Sequence, residues 1–122
     1  MRLVKVAAAT LNQTALHWDG NKRNVLAALD RARVEGVGIL CLPELCITGY
    51  GCEDAFLSPN THRLSIEVLE ELLPATRGLV TCFGLPVLHH KAVFNACALV
   101  ADGALLAFVA KRGLPGGGLH YE

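Results

Sequence analysis

Two lone charges stand where apolar runs end. Glu44 follows Val37-Gly38-Ile39-Leu40-Cys41-Leu42-Pro43 and is the single charged residue between Val37 and Cys52. A carboxylate delivered to the end of a buried strand is expensive unless it is paired or used. In open α/β sheets the strand ends are also where sites lie. A base or acid there has a clear use in proton transfer. The alternative is that Glu44 caps a turn or pairs with a surface lysine. Lys111 repeats the pattern, ending the run Ala104-Leu105-Leu106-Ala107-Phe108-Val109-Ala110. Its alternative is an exposed lysine at the end of a hairpin.

The elements that would carry these charges can be read from periodicity and punctuation. Residues 3–11, LVKVAAATL, read as a first strand with an edge-like start and a buried end. Asn12 and Gln13 either turn the chain, the favoured reading, or face a pocket. Asp19 is placed to cap a helix. Val25, Leu29 and Ala32 form its apolar stripe, Leu26 widens it, and Lys22, Arg23, Asp30, Arg31 and Arg33 lie mainly off it. Gly36 stops the helix, and Val37–Leu42 follows as a buried strand, completing a right-handed βαβ unit. After PELCITGYGCED, residues 43–54, Ser58 and Pro59 start a second helix. Leu64, Val68, Leu69, Leu72 and Leu73 form its buried stripe, Glu67, Glu70 and Glu71 its solvated side, and Pro74 and Gly78 its end.

Residues 79–85 read as a third strand that Pro86 breaks or closes, and His89-His90-Lys91 as a polar loop tip. Residues 93–101 and 104–110 are strands joined by Asp102-Gly103, the signal for a type I′ hairpin turn. Asn95, the one polar side chain in its strand, must be hydrogen-bonded if buried and is taken as structural. The order is β-α-β-α-β-β-β, an antiparallel hairpin appended to a βαβ core, and the fold class is α/β. No internal repeat or linker is visible.

Composition bounds the rest. The chain has 122 residues, enough for one small domain, with 52% hydrophobic residues, mean hydropathy +0.40 and formal net charge zero. The neutral balance gives no electrostatic case for nucleic acid or an anionic membrane. The apolar excess points to a sheet buried on both faces, or to surface meant for a partner. No apolar stretch approaches a membrane span, and alternation through Lys5 fits a strand better than a signal peptide. A cytoplasmic location is expected. The cysteines, Cys41, Cys46, Cys52, Cys82 and Cys97, are odd in number and contain no C-x-x-C pair. They read as small buried hydrophobes rather than disulfides. A zinc site from Cys41, Cys46, Cys52 and His62 is conceivable, but its spacing matches no common structural pattern, so no metal is expected. His89 and His90, being adjacent, cannot easily share one.

The segment PELCITGYGCED resembles the first signature of the nitrilase (carbon–nitrogen hydrolase) superfamily, and more narrowly the glutaminase domain of glutamine-dependent NAD synthetases. KRGLPGGGLHYE, Lys111 to Glu122, resembles the second signature, K-x-x-L-P followed by a small-residue loop and Tyr-Glu. The pattern from Asn95 through Gly103 to Lys111 also matches, so the resemblance covers the whole chain. Gly116-Gly117-Gly118 departs from the more aromatic loop of this branch and lacks the Lys-Ser/Thr of a phosphate-binding loop.

The resemblance implies a fold and a chemistry. The fold would be about the first half of an α-β-β-α sandwich, residues 1–122 being the N-terminal portion of the glutaminase domain. Glu44 would be the general base of a Glu–Lys–Cys triad, Lys111 the triad lysine, Glu122 an auxiliary glutamate and Tyr50 a wall of the substrate pocket. A carboxylate can take a thiol's proton and later activate water. A nearby ammonium holds that carboxylate ionised and stabilises an oxyanion. The family's nucleophilic cysteine lies downstream of the lysine signature, and none of the five cysteines matches it. The function implied is glutamine hydrolysis, with the ammonia passed to an ATP- and Mg2+-using synthetase domain, absent here, that amidates nicotinic acid adenine dinucleotide to NAD. The expected partners are glutamine, the rest of the glutaminase domain, that synthetase domain and further copies in a homo-oligomer. This chain alone is expected to be inactive. The alternatives are another carbon–nitrogen hydrolase (an amidase or nitrilase), and a non-enzymatic fragment that needs a partner chain.

Overall fold

The computed structural model describes residues 3–114. The chain alternates β1 (Val6–Ala8), α1 (Trp18–Val34), β2 (Ile39–Cys41), α2 (Pro59–Leu72), β3 (Val80–His89), β4 (Ala92–Ala101) and β5 (Ala104–Ala110), with short 3-10 turns at Glu53–Leu57 and Leu73–Thr76. The expected α/β order is therefore present. The five strands form one sheet in sequence order. β1, β2 and β3 are parallel, while β3, β4 and β5 are antiparallel. The antiparallel part is a three-strand meander, larger than the single appended hairpin the sequence suggests.

Both helices lie on one face. Val25 and Leu29 of α1, Val68, Leu69 and Leu72 of α2, and Leu40, Phe83, Leu85, Ala98 and Val100 of the sheet make one continuous buried cluster. The α1 stripe is as expected. In α2 the stripe is shifted: Leu64 and Leu73 are only partly covered, while Thr61, His62 and Ser65 are buried. Asp19 does not cap α1. The cap position is His17, which makes no side-chain capping bond, and Asp19 sits in the first turn, where a carboxylate faces the positive end of the helix dipole. Gly36 ends α1 with φ +67°.

Strand boundaries differ from the sequence reading for identifiable reasons. β1 pairs regularly only over three residues, and Val6 is exposed, because β1 is an edge strand. Pro86 neither breaks nor ends β3. Asn95, opposite Pro86, turns its carbonyl toward β5 to accept from the Lys111 N–H at 2.8 Å. Pro86 thus sits in a non-hydrogen-bonded pair, its missing N–H directed away from β4, where β2 has already ended. The Asp102-Gly103 turn is as expected: both residues have positive φ, +49° and +85°, as type I′ requires. His90-Lys91 makes a second two-residue turn of the same kind, with φ +47° and +66°.

The other face of the sheet carries no helix. Ile39 and Cys41 of β2 and Val109 of β5 are exposed there, and every residue of β5 is exposed. β5 is not the buried strand its composition suggests. Part of the chain's exposed apolar surface, including Ile39 and Val109, lies on this uncovered face.

Candidate functional site

Glu44 is held by a turn that crosses the uncovered face of β3. Leu42 continues the line of β2, its N–H donating to the Cys82 carbonyl at 3.1 Å. The chain then folds over: the Cys46 N–H donates to the Pro43 carbonyl (3.2 Å), and the Ile47 N–H to the Gly84 carbonyl (3.2 Å). Leu45 takes a left-handed conformation, φ +50°, which is strained for a branched side chain. Its side chain is fully buried, and that burial offsets the strain. Gly84 makes the crossing possible. A Cβ there would lie 2.3 Å from the Leu45 nitrogen and 2.6 Å from the Pro43 carbonyl oxygen. Glycine inside a strand signals such close backbone approach, so this residue was findable in the sequence.

The far side of the turn is clamped to the loop before α1. Asn21, buried in the first turn of α1, accepts from the Thr14 N–H (2.9 Å) and donates to the carbonyls of Thr14 (2.8 Å) and Ile47 (3.2 Å). Gln13 donates to the Cys46 carbonyl at 2.5 Å and accepts from Asn24 at 2.8 Å. Gln13 therefore does more than turn the chain: it anchors the Glu44 loop. Gly49, with φ +80°, lets that loop touch Thr14, whose carbonyl oxygen would lie 2.6 Å from an added Cβ.

Glu44 and Lys111 meet. Lys111 Nζ donates to Glu44 Oε1 at 2.7 Å across 67 residues of sequence. Both side chains are roughly one-third exposed, at 39% for Glu44 and 35% for Lys111. Asn95 is a third member. Its Nδ2 donates to the same Oε1 at 2.6 Å, and its carbonyl receives the Lys111 N–H. The sequence reading makes Asn95 a hydrogen-bonded structural residue; the structure places its amide on Glu44. Its signal was a lone polar residue at a buried strand position.

A hollow of about 400 Å³ opens beside the pair, lined in part by Cys41, Cys82, Asn95 and Cys97. Burial, reinforced by the neighbouring Cys82, pushes Cys97 up to about 11. On the helix side, burial pushes Cys46 up to about 12. A nucleophilic cysteine needs the opposite shift. Tyr50 lies in the same loop, half-exposed, and is absent from the lining of the hollow at Glu44. Glu122 and Gly116-Gly117-Gly118 lie outside the described residues. Among the described residues no three His, Cys, Asp or Glu side chains converge as metal ligands, so Cys41, Cys46, Cys52 and His62 do not form the zinc site considered above. No helix among the described residues is long and apolar enough to cross a membrane.

Comparison with known proteins places this geometry in context. The carbon–nitrogen hydrolase family model matches residues 5–113. The glutamine-dependent NAD(+) synthetase of Oryza sativa subsp. indica is 35% identical over the whole chain, which spans 17% of that protein. The crystal structure of a glutamine-dependent NAD(+) synthetase from Cytophaga hutchinsonii matches 97% of the chain with a TM-score of 0.93 and 39% identity, over 20% of its own length. An amidase from Nesterenkonia sp. shares the fold, with a TM-score of 0.80 at 21% identity over 93% of this chain and 44% of its own. The chain thus spans about a sixth to a fifth of the synthetases it matches.

Proposed function

The chain belongs to the carbon–nitrogen hydrolase family, and from that premise we propose that residues 1–122 are the N-terminal portion of a glutaminase domain serving NAD synthesis. The observation that carries this reading is the Glu44–Lys111 contact, which joins two strand ends 67 residues apart at 2.7 Å. An ion pair with both side chains a third exposed contributes little to stability. Its value is chemical.

In the proposed reaction a cysteine thiol, supplied from outside the described residues, gives its proton to Glu44. The sulfur attacks the carboxamide carbon of glutamine. Lys111 pairs with Glu44 and lends positive charge to the developing oxyanion. Glu44 hands that proton to the departing nitrogen, which leaves as ammonia; Glu44 then takes a proton from the water that cleaves the thioester to glutamate and returns it to the cysteine sulfur. The ammonia amidates nicotinic acid adenine dinucleotide in a separate synthetase domain, where ATP and Mg2+ belong. In this reading Glu122 is an auxiliary carboxylate near Lys111 and Tyr50 a wall for the substrate. The working protein is a cytoplasmic homo-oligomer. The raised thiols of Cys46 and Cys97 support the corollary that the 122-residue chain alone does not hydrolyse glutamine.

The test is ammonia release from glutamine. The purified chain is expected to show none. The chain joined to a remainder that bears the nucleophile is expected to be active and to lose that activity in Glu44→Gln. Hydrolysis by the chain alone, abolished by Glu44→Gln, would overturn the corollary. Full activity of Glu44→Gln in the longer protein would overturn the reading itself.

A further inference from the structure

The two oxygens of Glu44 are not equivalent. Oε1 accepts both the Lys111 Nζ (2.7 Å) and the Asn95 Nδ2 (2.6 Å). Among the described residues no hydrogen bond reaches Oε2. A carboxylate oxygen that already accepts two charge-assisted bonds is the poorer proton acceptor, and its free partner the better one. Resting on the glutaminase reading above, we infer that Asn95 is a positioning residue that sets which oxygen of Glu44 takes the thiol's proton, reserving Oε2 for it.

Asn95 is built for that task. Its backbone is locked on both sides, paired with Pro86 on β3 and receiving the Lys111 N–H on the β5 side. It is only 7% exposed, so its amide has little room to rotate. It is the wall between two hollows, the one at Glu44 and a second of about 260 Å³ floored by Leu45, Phe56 and Pro86. Glutamate can only accept when ionised, which fixes the amide with nitrogen toward Oε1. A single residue therefore aligns Glu44 through its side chain and Lys111 through its carbonyl. The neutral amide holds the Glu44 carboxylate without adding charge, and the proton acceptor is pre-organised before substrate arrives.

The test has two readouts. In the 122-residue chain, one Asn95 amide proton is expected to be shifted downfield and protected from exchange by NMR, a signature that Glu44→Ala removes. In the chain joined to a nucleophile-bearing remainder, Asn95→Leu, close in size but without a donor, is expected to lower kcat for glutamine by about 10- to 100-fold with KM unchanged. Asn95→Asp keeps the shape but sets a second carboxylate against Glu44, and is expected to lose more than Asn95→Leu. A purely structural role predicts the reverse order, with the isosteric Asp the milder change. Wild-type kcat in Asn95→Leu, a loss confined to KM, or an Asn95 amide indifferent to Glu44→Ala would each overturn the inference. If the wild-type joined protein hydrolyses no glutamine, the glutaminase reading fails instead, and the amide signature alone decides whether Asn95 holds Glu44.

Discussion

Cys82 and Phe83 are neighbours on β3 and live in different surroundings. Phe83 points toward the helices and is fully buried with Leu29, Leu69 and Leu72. Cys82 points the other way, into the hollow beside Glu44 and Lys111. The same alternation runs through β4, where Ala98 and Val100 are buried under the helices while Asn95 and Cys97 line the hollow. One face of the sheet concentrates apolar burial, which sets stability. The other holds a loop pressed onto a glycine, a strained Leu45 and a partly solvated ion pair, none of which stabilises much. Stability and chemistry are thus separated by the thickness of one sheet. The chemistry side can keep polar, strained and open features because the helix side does not depend on them.

That division can be broken from either side. The largest effect is expected from the helix face: Phe83→Ala should cost about 3–5 kcal/mol through the cavity it leaves, measured by denaturant unfolding. On the other face, Gly84→Ala should cost about 1–3 kcal/mol, because the new methyl meets Leu45 and Pro43 backbone that cannot yield cheaply. Its distinctive result is displacement of Glu44, so the Asn95 amide signature should vanish while the helix core remains protected from exchange. A loss of core protection together with that signature would mean that the two faces are not separable.

The smallest effect at neutral pH belongs to the thiols, and it sharpens the comparison by its pH dependence. Burial raises Cys46, in the helix-side core, from 9.0 to about 12. Its folded-state value lies above its unfolded one, so the unfolded chain gives up the proton first as pH rises. The associated stability is complete below about pH 9 and lost between there and about pH 12. Cys46→Ala should flatten that decline. Alkylation under native conditions should reach exposed Cys41 first and Cys46 only on unfolding. Equal rates at the two cysteines would show that the helix face is not closed.

Much of this was legible along the chain. The stripe of α1, the stop at Gly36, the Asp102-Gly103 turn and the strand ends at Glu44 and Lys111 are local. Each depends on residues within a few positions of one another, and period and turn chemistry report such things directly. Likeness to two family signatures supplied the pairing of Glu44 with Lys111, which no spacing could. Other features were decided only by tertiary structure. Pro86 stays in β3 because its neighbours direct its missing N–H outward. Asn21 and Gln13 are clamps because two loops, 33 residues apart at Gln13 and Cys46, converge. Asn95 serves Glu44 because the meander brings residues 51 positions apart within 2.6 Å. Sequence alone determined the order of helices and strands along the chain. Which polar side chain faces which charge follows from sheet register and the side of the sheet that the helices cover. Those are properties of long-range packing, and no window of neighbouring residues contains them.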